Sequence, residues 1–383
     1  MNERRRLRAG IIGGGFMAEV HARAIRANGH HASGINSSTR DSTYRAADRL
    51  GISQRFKTAE DLIHAPDIDV IHICTPNALH AQLAHAAIGA GKSVVCEKPL
   101  TTSLSDAKSL VAAAARASVA TAVPFVYRYY SAVREIRGRI DAGEAGQLHL
   151  LHGSYLQDWL ATKTDTNWRV DAAQGGDSRA FADIGVHWCD LMEFVTGHRI
   201  TRLSAKFLRA YEQRGGDARI RGVGTEDAST VVFETDRGAA GTVTVSQISR
   251  GRKNRLWFSF EGSESSFEFN QENPDSFWVG GLRENRIITR GTSGIEHEDA
   301  RRVSPLPAGH PSGYQDAFNV FMGDAYQSFA NEDGERPTGL PTFEDGLRAA
   351  YITDAVIRAS QSEQWVAVDP FCGVLDDRQT VGM

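Results

Sequence analysis

The sequence predicts a doubly wound parallel α/β domain followed by an α+β domain built on a large, mostly antiparallel open sheet. Three observations carry this expectation. Short apolar runs alternate with helical stretches through residue 126, the pattern of parallel strands joined by helical crossovers. A glycine-rich turn, Gly13-Gly14-Gly15-Phe16-Met17-Ala18, joins the first apolar run to the first helix. Beyond residue 147, apolar and polar residues alternate with period two, as in Thr242-Val243-Thr244-Val245-Ser246. At 383 residues the chain is too long for one small core, so a division into residues 1–126 and 127–383 is expected.

Arg8–Ile12 reads as the first strand. Gly13 permits the tight turn after it, Gly15 lets a diphosphate approach the backbone, and Ala18 lets the helix pack close to the strand. The helix through Val20, Ala24 and Ala27 turns free N–H groups towards those phosphates. This G-x-G-x-x-A loop stands in its required strand–turn–helix setting, so a Rossmann domain that binds a dinucleotide is expected, with Phe16 and Met17 also at the loop.

His31–Asn36 is the second strand. Its end reads Asn36-Ser37-Ser38-Thr39-Arg40, with no acid until Asp41. An acid would hold a free ribose 2′-hydroxyl; Ser37, Ser38 and Arg40 suit a 2′-phosphate better. NADP is therefore slightly favoured over NAD, against the plainer alternative that Arg40 caps or solvates the next helix. Val70–Cys74 is a strand, followed by Thr75-Pro76-Asn77-Ala78-Leu79-His80 and a helix to Gly89. Ser93–Cys96 is another, ending in Glu97-Lys98-Pro99; Ala107–Ala117 is a helix and Ala120–Val126 a strand. Ligands of such sheets bind beyond the carboxyl ends of the strands. Gly13, Thr75, Asn77, Glu97 and Lys98 should therefore converge on one crevice.

In the second part, Gln147–Leu156 is a strand and Ala180–Gly197 reads as one helix. Ile184, Trp188, Leu191 and Val195 form its buried stripe, with Asp183, His187 and Asp190 beside it. Asp183 and His187 then sit one turn apart. An imidazole next to a carboxylate is a proton-transfer pair at neutral pH, although a satisfied histidine at a core edge has the same spacing. Strands follow at Ile200–Tyr211, Ala228–Thr235, Ala239–Ile248, Arg255–Glu261 and Ser265–Asn270. Glu212–Asp227, rich in glycine and charge, is expected to be a mobile loop. Tyr314, Phe318, Phe321 and Tyr326, then Phe343, Leu347, Tyr351 and Ile357, predict two largely buried helices.

Composition excludes several classes. A net charge of −4 offers no basic field to nucleic acid or an anionic membrane. No apolar run is long enough to span a bilayer. Arg4, Arg5, Arg6 and Arg8 read as a solvated tail, because Ala9–Ile12 is too short for the apolar core of an export signal. Cys74, Cys96, Cys189 and Cys372 make no Cys-x-x-Cys pair and suit reduced thiols in the cytoplasm. His187, Cys189 and Asp190 are a poor zinc signature, so no metal is expected.

Gly13-x-Gly15-x-x-Ala18, Thr75-Pro76-Asn77-x-x-His80, Glu97-Lys98-Pro99 and Asp183-x-x-x-His187 share an order and spacing. Together they resemble the Gfo/Idh/MocA oxidoreductase family, of the glucose–fructose oxidoreductase and inositol dehydrogenase type, over nearly the whole chain. Tyr155-Leu156-Gln157-Asp158-Trp159, Trp168-Arg169 and Gly185-x-His187 are similar to the levoglucosan-dehydrogenase-like sugar dehydrogenases within it. The resemblance implies that Lys98, Asp183 and His187 are catalytic. It implies that Thr75, Pro76, Asn77, His80, Glu97 and Lys98 join the glycine loop in holding the cofactor, with Glu97 near the nicotinamide ribose. It also implies a cis Lys98–Pro99 bond and a homodimer or homotetramer formed through the second sheet. Gly176–Ala180 departs from the common pattern, and Arg179 is expected to alter the pocket rim.

The expected reaction is NAD(P)-dependent interconversion of a secondary alcohol and a ketone on a sugar, anhydrosugar or cyclic polyol. His187 is the candidate base, with an ordinary imidazole pKa of about 6.5. Asp183 would orient the imidazole or bind the reacting hydroxyl. Lys98 would stabilise the developing alkoxide, or act as base itself if burial lowers its pKa. Tyr127, Arg128, Tyr155, Gln157, Asp158, Trp159, Trp168 and Arg169 are candidate substrate contacts, since aromatic faces with amide and charged groups suit polyhydroxylated rings. Two other classes share the fold: a glycosidase that uses NAD for transient oxidation, and a non-catalytic NAD(P)-binding regulator, which would be expected to lack Lys98, Asp183 or His187.

Overall fold

The computed structural model describes residues 6–215, 221–304, 306–331 and 336–368. The expectations for Arg4, Arg5 and Cys372 lie outside them.

Six parallel strands make the first sheet: β1 (Arg8–Ile12), β2 (His31–Asn36), β3 (Gln54–Arg55), β4 (Val70–Ile73), β5 (Ser93–Cys96) and β6 (Thr121–Ala122). Their order is β3-β2-β1-β4-β5-β6. Helices cover the faces: α1 (Phe16–Ala27), α2 (Arg40–Leu50), α3 (Ala59–Ile63), α4 (His80–Gly89) and α5 (Leu104–Ala117). Strands covered on both sides lose their polar alternation, and all four residues of β4 are buried. The order reverses between β1 and β4, which opens a crevice at their carboxyl ends. The strand expected over Ala120–Val126 is confined to Thr121–Ala122. Pro124 has no N–H to continue the ladder, and Val126–Tyr129 turns into a short 3₁₀ helix.

The second sheet has nine strands: β7 (Leu148–Leu156), β8 (Ile200–Leu208), β11 (Ala228–Thr235), β12 (Ala240–Ser246), β13 (Arg255–Gly262), β14 (Ser266–Asn270), β15 (Ser276–Gly280), β16 (Asn285–Thr289) and β17 (Val366–Ala367). Between β8 and β11 a small ribbon pairs β9 (Gln213–Arg214) with β10 (Arg221–Gly222). The order is β16-β15-β14-β13-β7-β12-β11-β8-β17, antiparallel throughout except where β7 runs parallel to β12. Leu151, Phe233, Val243, Phe258 and Phe267 line its buried face. Three strands, β15 to β17, carry no clear sequence signal; β16 is a largely exposed edge without apolar alternation.

Helices α6 (Ser131–Asp141), α7 (Ala172–Gly175), α8 (Val186–Thr196), α9 (Glu298–Arg302), α10 (Tyr314–Ala330) and α11 (Phe343–Ser362) are the remaining α-helices among the described residues. Elements α6, α8 and α11 pack on the sheet, while α10 and α11 also lie against α1 and α5. Asn28 Nδ2 donates to Asn319 O at 2.8 Å across the α1–α10 contact.

The single helix expected over Ala180–Gly197 is divided. Phe181–Gly185 forms a wide π turn that runs into α8. The buried Glu226 carboxylate takes the N–H groups of Arg179 and Phe181, drawing the first turn towards itself. Gly185 lets the Phe181 ring lie across the turn, since a Cβ there would meet it at 2.5 Å. Such wide turns recur at functional sites.

The stretch Glu212–Asp227 is also not the free loop expected. Arg214, Glu226 and Asp227 are buried with Arg179. Arg179 and Arg214 both pair with Asp227, so Arg179 lies in the interior and not at a pocket rim. Residues 216–220 of that stretch lie outside the described chain.

Candidate active site

At the end of β1 the chain turns at Gly13 with φ +119°, and a Cβ there would come within 2.4 Å of the Cys74 carbonyl oxygen. Only glycine fits both constraints. Gly15 differs: a Cβ on it would meet nothing within 4 Å. That space is where a diphosphate would approach. No side chain caps the N-terminus of α1 at Gly15, so its first-turn N–H groups remain available to an anion. Ala18 is fully buried against the strand. The Thr75 hydroxyl is buried with no hydrogen-bond partner among the described residues. These features fit a dinucleotide.

The crevice has a volume of about 1180 Å³. Gly13, Gly15, Phe16, Met17, Ser37, Ser38, Thr75, Pro76 and Asn77 line one end. Glu97, Lys98, Tyr127, Tyr155, Gln157, Trp168, Arg169, Asp183 and His187 line the other. Two expected cofactor residues stand elsewhere. Arg40 lies over the Tyr44 ring at 5.4 Å. His80 is buried, its Nδ1 2.8 Å from Pro99 O and its Nε2 3.0 Å from Thr75 O, so it ties the two loops together from behind. Asn77 lines the crevice but spends an N–H on Gly175 O at 3.1 Å, which anchors α7.

Lys98, Asp183 and His187 come together on the crevice wall. The Lys98–Pro99 bond is cis. Lys98 Nζ donates to Asp183 Oδ1 at 2.7 Å and to the Asp183 carbonyl oxygen at 2.8 Å. Gln247 Nε2 donates to Asp183 Oδ2 at 2.9 Å, and Arg169 Nε lies 3.3 Å from Oδ1. Burial alone would raise the Asp183 carboxyl, but Arg169 and Lys98 reverse this and hold it below the usual carboxylate range. Asp183 is thus occupied by Lys98, Gln247 and Arg169, and it does not orient the imidazole as expected.

His187 is held by rings. Tyr127 and Phe125 meet it edge-on, with centroids 5.0 Å and 5.7 Å away. Its Nδ1 is buried without a partner among the described residues. Burial pushes its pKa well below the ordinary imidazole value; Lys98 pushes it further and Asp183 opposes. The ring is neutral at physiological pH and stays so into mildly acidic solution, where an unperturbed histidine would be protonated.

Asn254 joins the far wall. It accepts from Tyr155 Oη at 2.7 Å and Gln157 Nε2 at 2.8 Å, and donates to Tyr127 Oη at 3.2 Å. Trp159 Nε1 donates to Gln157 Oε1 at 2.7 Å, and the Arg169 guanidinium lies 4.3 Å from the Trp168 ring centroid. Arg128 and Asp158 do not line this wall: Arg128 pairs with Asp190 and Asp345, and Asp158 with Lys253. Sequence reasoning missed Gln247 and Asn254. Gln247 continues the buried phase of Val243 and Val245, and an amide in an apolar phase is a legible signal. Asn254 sits in a polar turn and gives none. Among the described residues no cluster of potential metal ligands occurs, and no helix is long and apolar enough to cross a membrane.

Comparison with known proteins agrees with this geometry. Residues 7–125 match the oxidoreductase family with an NAD-binding Rossmann fold, and residues 133–268 match the GFO/IDH/MocA C-terminal domain. The chain is 30% identical to levoglucosan dehydrogenase of Pseudarthrobacter phenanthrenivorans, over 94% of this chain and 98% of that protein. It is 26% identical to inositol 2-dehydrogenase 3 of Saccharopolyspora erythraea, over 94% and 95%. A levoglucosan dehydrogenase structure in complex with NADH and levoglucosan superposes with a TM-score of 0.88 at 28% identity, covering 95% of this chain and all of that one. An oxidoreductase domain protein from Kribbella flavida gives 0.88 at 29% identity, covering 95% of this chain. With both halves matched and a relative of this similarity along its length, the chain belongs to the Gfo/Idh/MocA family of NAD-binding oxidoreductases.

Proposed function

We propose that this protein is a dehydrogenase that interconverts a secondary alcohol and a ketone on a neutral sugar, anhydrosugar or cyclic polyol. One observation carries the reading. An ammonium has three N–H donors. Asp183 takes two from Lys98, leaving one for an oxygen in the crevice beside the neutral His187. A nicotinamide dinucleotide in the crevice supplies hydride acceptance or donation. The protein moves the proton. In oxidation His187 accepts it from the reacting hydroxyl, and Lys98 holds the oxygen as negative charge develops. In reduction the Lys98 N–H polarises the carbonyl. Asp183 keeps Lys98 in place, and Tyr127, Tyr155, Gln157, Trp168 and Arg169 receive the ring and its hydroxyls.

A neutral substrate is supported over a phosphorylated one. The lysine and arginine lining the crevice, Lys98 and Arg169, both pair with Asp183. At the other end, Ser37, Ser38 and Arg40 favour NADP slightly, although Arg40 must leave Tyr44 to reach a 2′-phosphate. The relative of known structure holds NADH. A homodimer or homotetramer through the exposed face of the nine-stranded sheet belongs to the same reading, as does a cytoplasmic location, which suits free thiols at Cys74, Cys96 and Cys189.

The test is absorbance in the reduced-nicotinamide band with a panel of sugars, anhydrosugars and inositols, NAD and NADP separately. Stoichiometric reduction with one substrate is expected. Net hydrolysis of a glycoside with the bulk cofactor unchanged would replace this reading by the glycosidase. Cofactor binding without turnover across the panel would replace it by the regulator.

A further inference from the structure

A chain of buried polar groups runs between β4 of the first sheet and the helices α1 and α10, without entering the proton chemistry above. Glu97 faces the crevice at one end. Its Oε1 lies 3.0 Å from His21 Nε2; His21 Nδ1 lies 2.8 Å from His72 Nδ1; His72 Nε2 lies 2.8 Å from the Tyr326 hydroxyl. His21 and His72 are fully buried and Tyr326 is nearly so. Tyr326 belongs to α10, 254 residues beyond His72.

Such a chain has two possible directions, and proton accounting selects one. A neutral imidazole is a donor at one nitrogen and an acceptor at the other. Burial, with His21 alongside, pushes His72 well below the ordinary imidazole range, so His72 is neutral. Among the described residues the Tyr326 hydroxyl has one hydrogen-bonding neighbour, His72 Nε2. If His72 donated to Tyr326, the phenolic proton would point at no acceptor in a dry interior, a cost of about 1–3 kcal/mol. Tyr326 therefore donates to His72 Nε2. His72 then carries its proton on Nδ1 and donates to His21 Nδ1. His21 carries its own on Nε2 and donates to Glu97 Oε1. Glu97 Oε2 also accepts, from the Lys98 backbone N–H at 3.2 Å. A carboxylate has about four lone-pair sites, so about two remain towards the crevice.

We propose that the Tyr326 hydroxyl, acting through His72 and His21, fixes the direction of this chain and so keeps Glu97 an ionised acceptor for the vicinal hydroxyls of the cofactor's nicotinamide-side ribose. The ribose assignment rests on the dehydrogenase reading; the direction of the chain does not. His21, His72 and Tyr326 are positioning residues, and α10 thereby reports its packing to the cofactor site. The groups around Glu97 agree. Burial alone would raise its carboxyl, but His21, then Lys98 and His80, hold it lowered. The Cys74 and Cys96 thiols lie near it and are pushed up by burial, hence neutral, as is the Tyr314 phenol from α10. Around Tyr326 stand Asp69 and the His30 ring, whose centroid is 4.4 Å away.

Two measurements test this. Nitrogen NMR of histidine-labelled, cofactor-free protein should show the proton on Nε2 in His21 and on Nδ1 in His72; the opposite pair of tautomers overturns the proposal. Calorimetric binding of NAD or NADP should be nearly independent of pH in the native protein between about pH 5 and about pH 8. In Tyr326→Phe the chain can reverse and Glu97 can hold a proton. Its affinity should match the native protein at the basic end and fall about tenfold at the acidic end. Equal pH profiles in the two proteins overturn the proposal. If Tyr326→Phe does not fold, the native tautomers decide alone. Absence of dinucleotide binding by the native protein at every pH would instead sink the dehydrogenase reading, and the ribose role with it.

Discussion

Buried His187 and exposed Arg40 show how environment sets what a residue offers. Because burial lowers the His187 pKa, the base form persists to lower pH than in a free imidazole. The acid limb of kcat/KM for oxidation is therefore expected below pH 6.5, with a flat profile through that value. His187→Ala should lower kcat by about a hundredfold or more. An activity within about tenfold of native would remove His187 as the base. Arg40 is exposed, and a cation over an exposed ring is worth only about 0.5–1 kcal/mol. It can swing to a 2′-phosphate at little cost. Arg40→Ala should raise the KM for NADP about tenfold and leave that for NAD unchanged. An equal effect on both cofactors would mean that Arg40 only covers Tyr44.

At the scale of elements, the glycine loop and the π turn make separable predictions. Gly13→Ala places a Cβ against the Cys74 carbonyl in a left-handed backbone, so it should destabilise the fold by about 2 kcal/mol or more. Gly15→Val adds its side chain to open space, so the melting temperature should hold while dinucleotide affinity falls at least about tenfold. Reversed outcomes would show that the loop does not face the cofactor. Glu226→Ala leaves the N–H groups of Arg179 and Phe181 without their acceptor, at a cost of about 1–3 kcal/mol in urea unfolding. It should also lower kcat without changing cofactor affinity, because the turn it holds carries Asp183.

For the whole molecule, the proposed assembly rests on the exposed face of the nine-stranded sheet. Leu150 on β7 and Val232 on β11 share this face and are 38% and 41% exposed. Large apolar side chains on a broad open sheet favour burial against a second copy. Sedimentation at micromolar concentration should give a dimer or tetramer, and Leu150→Lys combined with Val232→Lys should give a smaller species. A native monomer would rule out assembly through this sheet.

The first sheet and the glycine loop were legible in the sequence itself, while Lys98, Asp183 and His187 were singled out together through the resemblance of their motifs to a known family. Strand, turn and helix are set by residues close together, through periodicity and the few side chains that a tight turn accepts. The partners were not legible. Asp183 is held by Lys98, 85 residues away, and by Gln247, 64 residues away, and not by the histidine one turn along. Arg179 went inwards because Asp227 was there to neutralise it, and His80 bonds two carbonyls behind the crevice. Spacing along a chain determines which residues can share a face. Which charge meets which, how dry the site is and which proton sits on which nitrogen follow only from packing distant segments together, and those were decided by the tertiary structure.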